Sequence, residues 1–259
     1  MITRFQNIFF CGIALLGFMV QSQAQDVNRR VEFGAGYSGY IYFGDLTTNN
    51  FGSYETYQSG FQIHGSFILS PSLMVRTNFT KGSLKGDDAI YQKPAFRQQR
   101  NFNFSTPVTE IAALLVWNPF KSNAYNGGFS PYVMAGAGVG FLKVKKDHSN
   151  FNPGYFLNGP ALVQLIANDD AHGTPSTIPV VPVGAGVRYG FSSSLSVYVE
   201  SAYRFIFTDY LDGFSQSANP KGDDHYQTIS AGIIFRPGGS LGGGGGGKKG
   251  KFGCPSVSY

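Results

Sequence analysis

Residues 196–207 read S-V-Y-V-E-S-A-Y-R-F-I-F. Alternate residues of a strand point to opposite faces. One face here takes Val197, Val199, Ser201, Tyr203, Phe205 and Phe207. The other takes Ser196, Tyr198, Glu200, Ala202, Arg204 and Ile206. The first face is apolar and aromatic, and the second carries a Glu and an Arg. In a soluble sandwich the apolar face would meet a second sheet. In a membrane barrel it would meet lipid, with the charged face lining the lumen.

The same alternation recurs at about 31–43, 61–69, 73–81, 103–117, 132–144, 178–189 and 226–235, which with 195–207 makes eight strands. Their connections alternate in length. Segments 44–60, 82–102, 145–177 and 208–225 are long, whereas 70–72 and 190–194 are tight. Segment 118–131 is a medium turn rich in Asn, Gly and Pro. Short turns on one rim and long loops on the other fit a bacterial outer-membrane barrel. A sandwich has no reason to sort its loops by parity. The expected fold is therefore all-β: an eight-stranded antiparallel transmembrane barrel with short periplasmic turns, long extracellular loops and a disordered C-terminal tail.

Composition agrees. Of 259 residues, 14% are charged and 15% aromatic, with 35 glycines. That balance suits a lipid-facing β protein better than a soluble helical enzyme. The net charge of +5 gathers partly in the last residues and does not describe a nucleic-acid groove. Arg4, an apolar run at 8–20 and the small residues near Ala24 read as a secretory signal over 1–24, with Cys11 inside it. The barrel is expected over 25–236 and a flexible Gly/Lys-rich tail over 237–259, hanging in the periplasm.

The inward set carries Glu32, Arg76, Glu110, Arg188, Glu200 and Arg204, with His64, Asn78 and several glycines. An eight-stranded barrel is just wide enough for side chains to fill. Charges there must pair. Three acids and three bases predict a closed network and no open pore. Trp117, Tyr132, Tyr189 and Phe191 on one rim, with Tyr37, Tyr40, Tyr42, Phe205 and Tyr210 on the other, read as two interfacial aromatic belts.

Chemistry-bearing motifs are weak. Gly136-x-Gly138-x-Gly140 lies inside a strand, where a nucleotide fingerprint needs a strand before it and a helix after it. Gly242 to Lys248 resembles a phosphate loop, yet Lys249 stands where Ser or Thr would bind the metal. Asp87 and Asp88, Asp169, Asp170 and His172, and Asp223, Asp224 and His225 read as solvated loop. His64 has no recognisable serine and acid beside it in sequence. No catalytic, metal or cofactor site is expected. The tail carries Lys248, Lys249, Lys251, Phe252 and Cys254. A lone cysteine in an oxidising compartment points to intermolecular pairing or a reactive thiol, against the plain reading of an inert thiol, and these five residues are the candidate partner contact.

Three stretches carry a family resemblance: Tyr42-Phe43-Gly44-Asp45-Leu46, Pro182-Val183-Gly184-Ala185-Gly186-Val187-Arg188-Tyr189, and Thr208-Asp209-Tyr210-Leu211-Asp212. Together with the tail they resemble the PorG type of Bacteroidetes outer-membrane barrel. That resemblance implies a non-enzymatic anchor or scaffold of type nine protein secretion. It implies outer-membrane lipids as surroundings and periplasmic secretion-ring proteins as partners, with a disulfide at Cys254 as one way to hold them. It also implies Gly44, Asp45, Asp209, Tyr210 and Asp212 as loop anchors. The rival readings are a general OmpA-like structural barrel and a barrel enzyme acting on lipid A.

Overall fold

The computed structural model describes residues 30–47, 52, 54–120, 123, 128–218, 222 and 224–237. The expected signal peptide, Asp223, and the tail beyond 237 lie outside the described residues. Strands β1 (Val31–Phe43), β2 (Gln58–Ile68), β3 (Leu73–Asp87), β4 (Asn103–Trp117) and β5 (Gly128–Leu142) follow in order. After the short β6 (Lys145–Asp147) come β7 (Thr177–Gly190), β8 (Leu195–Ile206) and β9 (His225–Phe235). Every neighbouring pair is antiparallel, β1 pairs with β9, and β3 pairs with β4, so eight strands close on themselves. β6 is an outrigger on the loop-side end of β4. Closure removes every edge that lipid could not satisfy.

The two faces separate as the alternation requires. Phe33, Ile63, Ile111, Leu115, Val133, Val183, Val199 and Ile233 are exposed, while Glu32, Arg76, Glu110, Glu200 and Arg204 are buried inside. An apolar outside around a filled polar inside is the transmembrane arrangement. The strands exceed the roughly 9–11 residues a membrane needs, so their loop-side ends project beyond it. Inside those ends lies an apolar core that includes Tyr40, Tyr42, Leu84, Phe104, Ile166, Leu211, Phe214 and Tyr226. Phe102 stacks on Phe214 at 4.3 Å, and Tyr42 meets Phe104 edge-on at 4.8 Å.

Several expectations change. β3 runs six residues past its expected end, and β5 begins four residues early. The segments expected to be plain loop hold helices α1 (Phe96–Arg100) and α2 (Gly159–His172). α2 starts with Pro160 in its first turn and stops before Gly173, which has φ +74°. Tyr40, Tyr42 and Tyr132 belong to no lipid belt. They are buried, because they share inward parity with Ser38 and Met134. Trp117, Tyr189 and Phe191 on one rim and Tyr37 and Phe205 on the other are exposed, as a belt requires. Ile41 has outward parity yet is 1% exposed, with Gly52 packed so close that a Cβ on it would lie 2.9 Å from the Ile41 side chain.

Candidate functional site

The lumen is filled at three levels. At the floor, Arg188 donates to both Glu32 oxygens at 2.9 and 3.1 Å, and to the Asn123 side-chain oxygen at 3.2 Å. Arg236, one residue past β9, donates to Glu32 through Nε at 3.1 Å and to the Asn123 carbonyl at 2.8 Å. In the middle, Glu200 accepts from Arg76 at 2.8 Å, Tyr132 at 2.6 Å and Gln62 at 2.8 Å. Higher up, Glu110 accepts from Arg204 Nε at 3.2 Å and from the Tyr226 hydroxyl at 2.6 Å. Arg204 also donates to the Ala202 carbonyl at 2.8 Å and to Thr228.

These bonds have a common origin. Register places Ser66 beside Arg76 and Gly186 beside Glu200, so small residues flank the long ones. Tyr198 crosses the lumen over two glycines. A Cβ on Gly36 would lie 2.5 Å from its hydroxyl, and one on Gly232 would lie 2.8 Å from its ring. Each buried carboxylate thus gains a cation and further donors, which offsets the cost of leaving water. His64 lies edge-on to Tyr198 at 5.3 Å, and neither ring nitrogen has a hydrogen-bond partner.

The loop base is built differently. The Tyr42 hydroxyl lies 2.8 Å from Asp212 and 2.5 Å from Asp224. Both carboxyls are fully buried. Asp212 accepts from the Phe214 amide at 2.8 Å, and Asp224 from the Leu211 amide at 3.1 Å. Gly44 is required here, since a Cβ on it would lie 2.0 Å from Asp224 and 2.1 Å from the Tyr42 hydroxyl. Burial first, with Asp45 and Asp209 nearby, pushes the Asp212 carboxyl up to about 8, although the Phe214 amide and Tyr42 pull the other way. Burial and then Asp212 push Asp224 well above the usual carboxylate range. One hydroxyl proton cannot serve both acids, so the pair holds a proton of its own.

The remaining expected anchors join this base or its neighbours. The Asp45 carbonyl accepts from Arg97 at 3.3 Å and from Arg100 at 3.4 Å. Tyr210 stacks on His172 at 4.1 Å and reaches Asp169 at 3.4 Å. Asp209 is half-buried, close enough to Asp212 and Asp224 for its charge to act on both.

The reading of solvated loop acids is corrected at three positions. Asp88 is buried and paired with Arg97 at 2.7 Å and Arg100 at 2.6 Å. Asp169 is buried and accepts from Gln216 and Ser217 amides at 3.0 Å each. Asp224 is buried as described. Asp170 is half-exposed, with Lys146 at 2.8 Å and His148 at 3.1 Å. Among the described residues no group of three His, Cys, Asp or Glu could hold a metal ion. Sequence reasoning missed Arg236, Gln62, Tyr132 and Tyr226 as lumen partners. The parity of Gln62, Tyr132 and Tyr226 with His64, Met134 and Thr228 was the available signal, whereas Arg236 lies one residue past β9. Lys248, Lys249, Lys251, Phe252 and Cys254 lie outside the described residues.

A family profile described as "Domain of unknown function (DUF6089)" matches residues 6–235. No curated protein matches the chain. Among solved structures, neisserial surface protein A is 14% identical, with 80% of this chain and 96% of that chain covered and a TM-score of 0.46. Ail, the attachment invasion locus protein of Yersinia pestis, is 13% identical in its complex with the heparin analogue sucrose octasulfate, covering 80% and 97% at 0.42. The outer membrane enzyme PagL is 12% identical, covering 78% and 98% at 0.32.

Proposed function

The chain belongs to the DUF6089 family, and from that premise we propose that it is a non-enzymatic outer-membrane barrel that acts as an anchor. The observation that carries this reading is the sealed lumen. Glu32, Glu200 and Glu110 are each locked to arginine at successive levels, under an apolar cap that contains Phe214 and Leu211. A lumen filled this way passes no solute, so the working surfaces are the outer wall, the loops and the tail.

The finer role we propose is a scaffold of type nine secretion, holding periplasmic ring proteins through Lys248, Lys249, Lys251, Phe252 and Cys254. What supports it is the resemblance of three sequence stretches and the composition of the tail. Deleting residues 238–259 tests it. Secretion should fail while the barrel still inserts. Normal secretion would leave a general structural barrel as the better reading. A non-reducing gel of outer membranes beside Cys254→Ser tests the disulfide, through a high-mass band present only in the wild type. Lipid A modified on expression would turn the reading toward an enzyme. In planar bilayers the purified barrel should show no appreciable single-channel conductance, and steady conductance would refute the sealed lumen.

A further inference from the structure

On the outer wall, four exposed lysines flank the loop-side end of β4 over three successive outward rungs: Lys81 and Lys85 on β3, Lys145 on β6, and Lys143 in the link between β5 and β6. Lys85 and Lys145 both pair with Ser105 of β4, from opposite sides. They therefore stand two strand spacings apart, about 10 Å. One rung toward the membrane, the Lys143 amide bonds the Pro107 carbonyl at 3.2 Å. One rung further, Lys81 faces Thr109, and Thr109 faces Phe141. The next rung is Phe79, Ile111 and Val139, which is wholly apolar.

The lysines thus edge the lipid-facing band and surround a patch of small residues, Ser105, Pro107 and Thr109. No salt bridge binds Lys81, Lys143 or Lys145 among the described residues, and Lys85 only approaches Asp87 at 3.9 Å. Asp87 and Asp147 flank Asn103 on the rung farther from the membrane, so the charge changes sign outward. The opposite wall lacks this pattern. The outward positions at the loop-side ends of β7, β8 and β9 are Thr177, Pro179, Val181, Tyr203, Phe205, His225 and Gln227, with no lysine, arginine or carboxylate.

We propose that this one-sided lysine patch seats the phosphate groups of an anionic, acylated lipid of the outer leaflet, whose chains lie on the Phe79, Ile111 and Phe141 wall below. Lysine stems lie along apolar surface and present their ammonium groups to the headgroup layer. A cluster of such point charges at the membrane boundary holds phosphate-bearing headgroups. This inference rests on the membrane-barrel reading.

The full chain and a Lys81→Gln, Lys85→Gln, Lys143→Gln, Lys145→Gln variant are placed in phosphatidylcholine nanodiscs, with heat-modifiable gel mobility reporting insertion. Diphosphoryl lipid A and its dephosphorylated form are the probes, and retained lipid is counted by native mass spectrometry. The wild type should retain the phosphorylated form roughly tenfold better, more so at low salt. The glutamine variant should lose that preference, and a variant with arginine at all four positions should keep it. Equal retention by wild type and glutamine variant overturns the proposal. Displacement of the lipid by millimolar inorganic phosphate also overturns it, since phosphate alone would then be the ligand. If the wild type does not insert, the membrane reading falls and this inference with it.

Discussion

Glu200 and Asp212 are both buried carboxyls, and the barrel holds them in opposite ways. Glu200 faces a guanidinium, a phenol and an amide inside the lumen. Asp212 faces a second acid across one tyrosine hydroxyl at the loop base, with the Phe214 backbone amide as its other donor. The lumen solves the problem of buried charge by pairing. The loop base solves it by keeping a proton. Pairing with arginine is indifferent to pH across the physiological range, because guanidinium does not titrate there. A retained proton is not indifferent, so the two regions should respond differently to the same perturbation.

The largest effect is expected from Arg76→Ala. It strands the Glu200 charge in a dry lumen and should cost about 3–5 kcal/mol, read by urea unfolding of the barrel in lipid vesicles. A loss below about 1 kcal/mol would show that Tyr132 and Gln62 suffice. Replacing both partners, Arg76→Met with Glu200→Leu, should recover most of that loss.

Next is Tyr42→Phe, which removes the hydroxyl shared by Asp212 and Asp224. It should cost about 1–3 kcal/mol, with faster amide exchange confined to residues around 208–218. Exchange rising equally in the lumen strands would contradict a local role.

The pH response follows from the raised carboxyls. Asp212 binds its proton more tightly in the folded loop than in an unfolded chain. Its stabilisation is therefore complete below about pH 4 and is lost as pH rises through about 8. Loop proteolysis should climb across that range while the barrel stays folded, and Asp212→Asn should flatten the curve. The smallest effect is expected from Lys146→Gln. Its partner Asp170 is 46% exposed, so stability should change by under about 1 kcal/mol.

The legibility of the sequence follows the same division. β4 was readable end to end, because its alternation from Phe104 to Trp117 is unbroken. β3 was cut short at Lys81, since Gly82, Lys85 and Gly86 look like loop. They are strand, with Gly82 and Gly86 turned inward to admit the Tyr40 and Phe104 rings. The six lumen charges followed from parity alone. Arg236 did not, because it lies one residue past the last strand. The acids at the loop base were the least legible. Asp224 reads as a solvent-facing loop residue and Asp212 is marked only by the family resemblance, until the chain closes over Tyr42 and tertiary contact buries both. Exposed loop chemistry and buried loop chemistry use the same residue types.

Arg236 ties the last residue of the barrel to Glu32 at the foot of β1 and to Asn123 of a neighbouring turn. β9 runs from the loop side to this floor, with its ladder to β1 extending from His225 to Phe235 and another to β8 alongside. A tug on the chain beyond residue 237 would pull along the strand axis, across hydrogen bonds that lie perpendicular to it. Those bonds would have to shear together, since no end of the strand is free to peel. The Arg236 fork shares the strain with β1 through Glu32 and with Asn123 between β4 and β5. In mechanical terms the barrel is a rivet, with its toughest direction pointing away from the long loops.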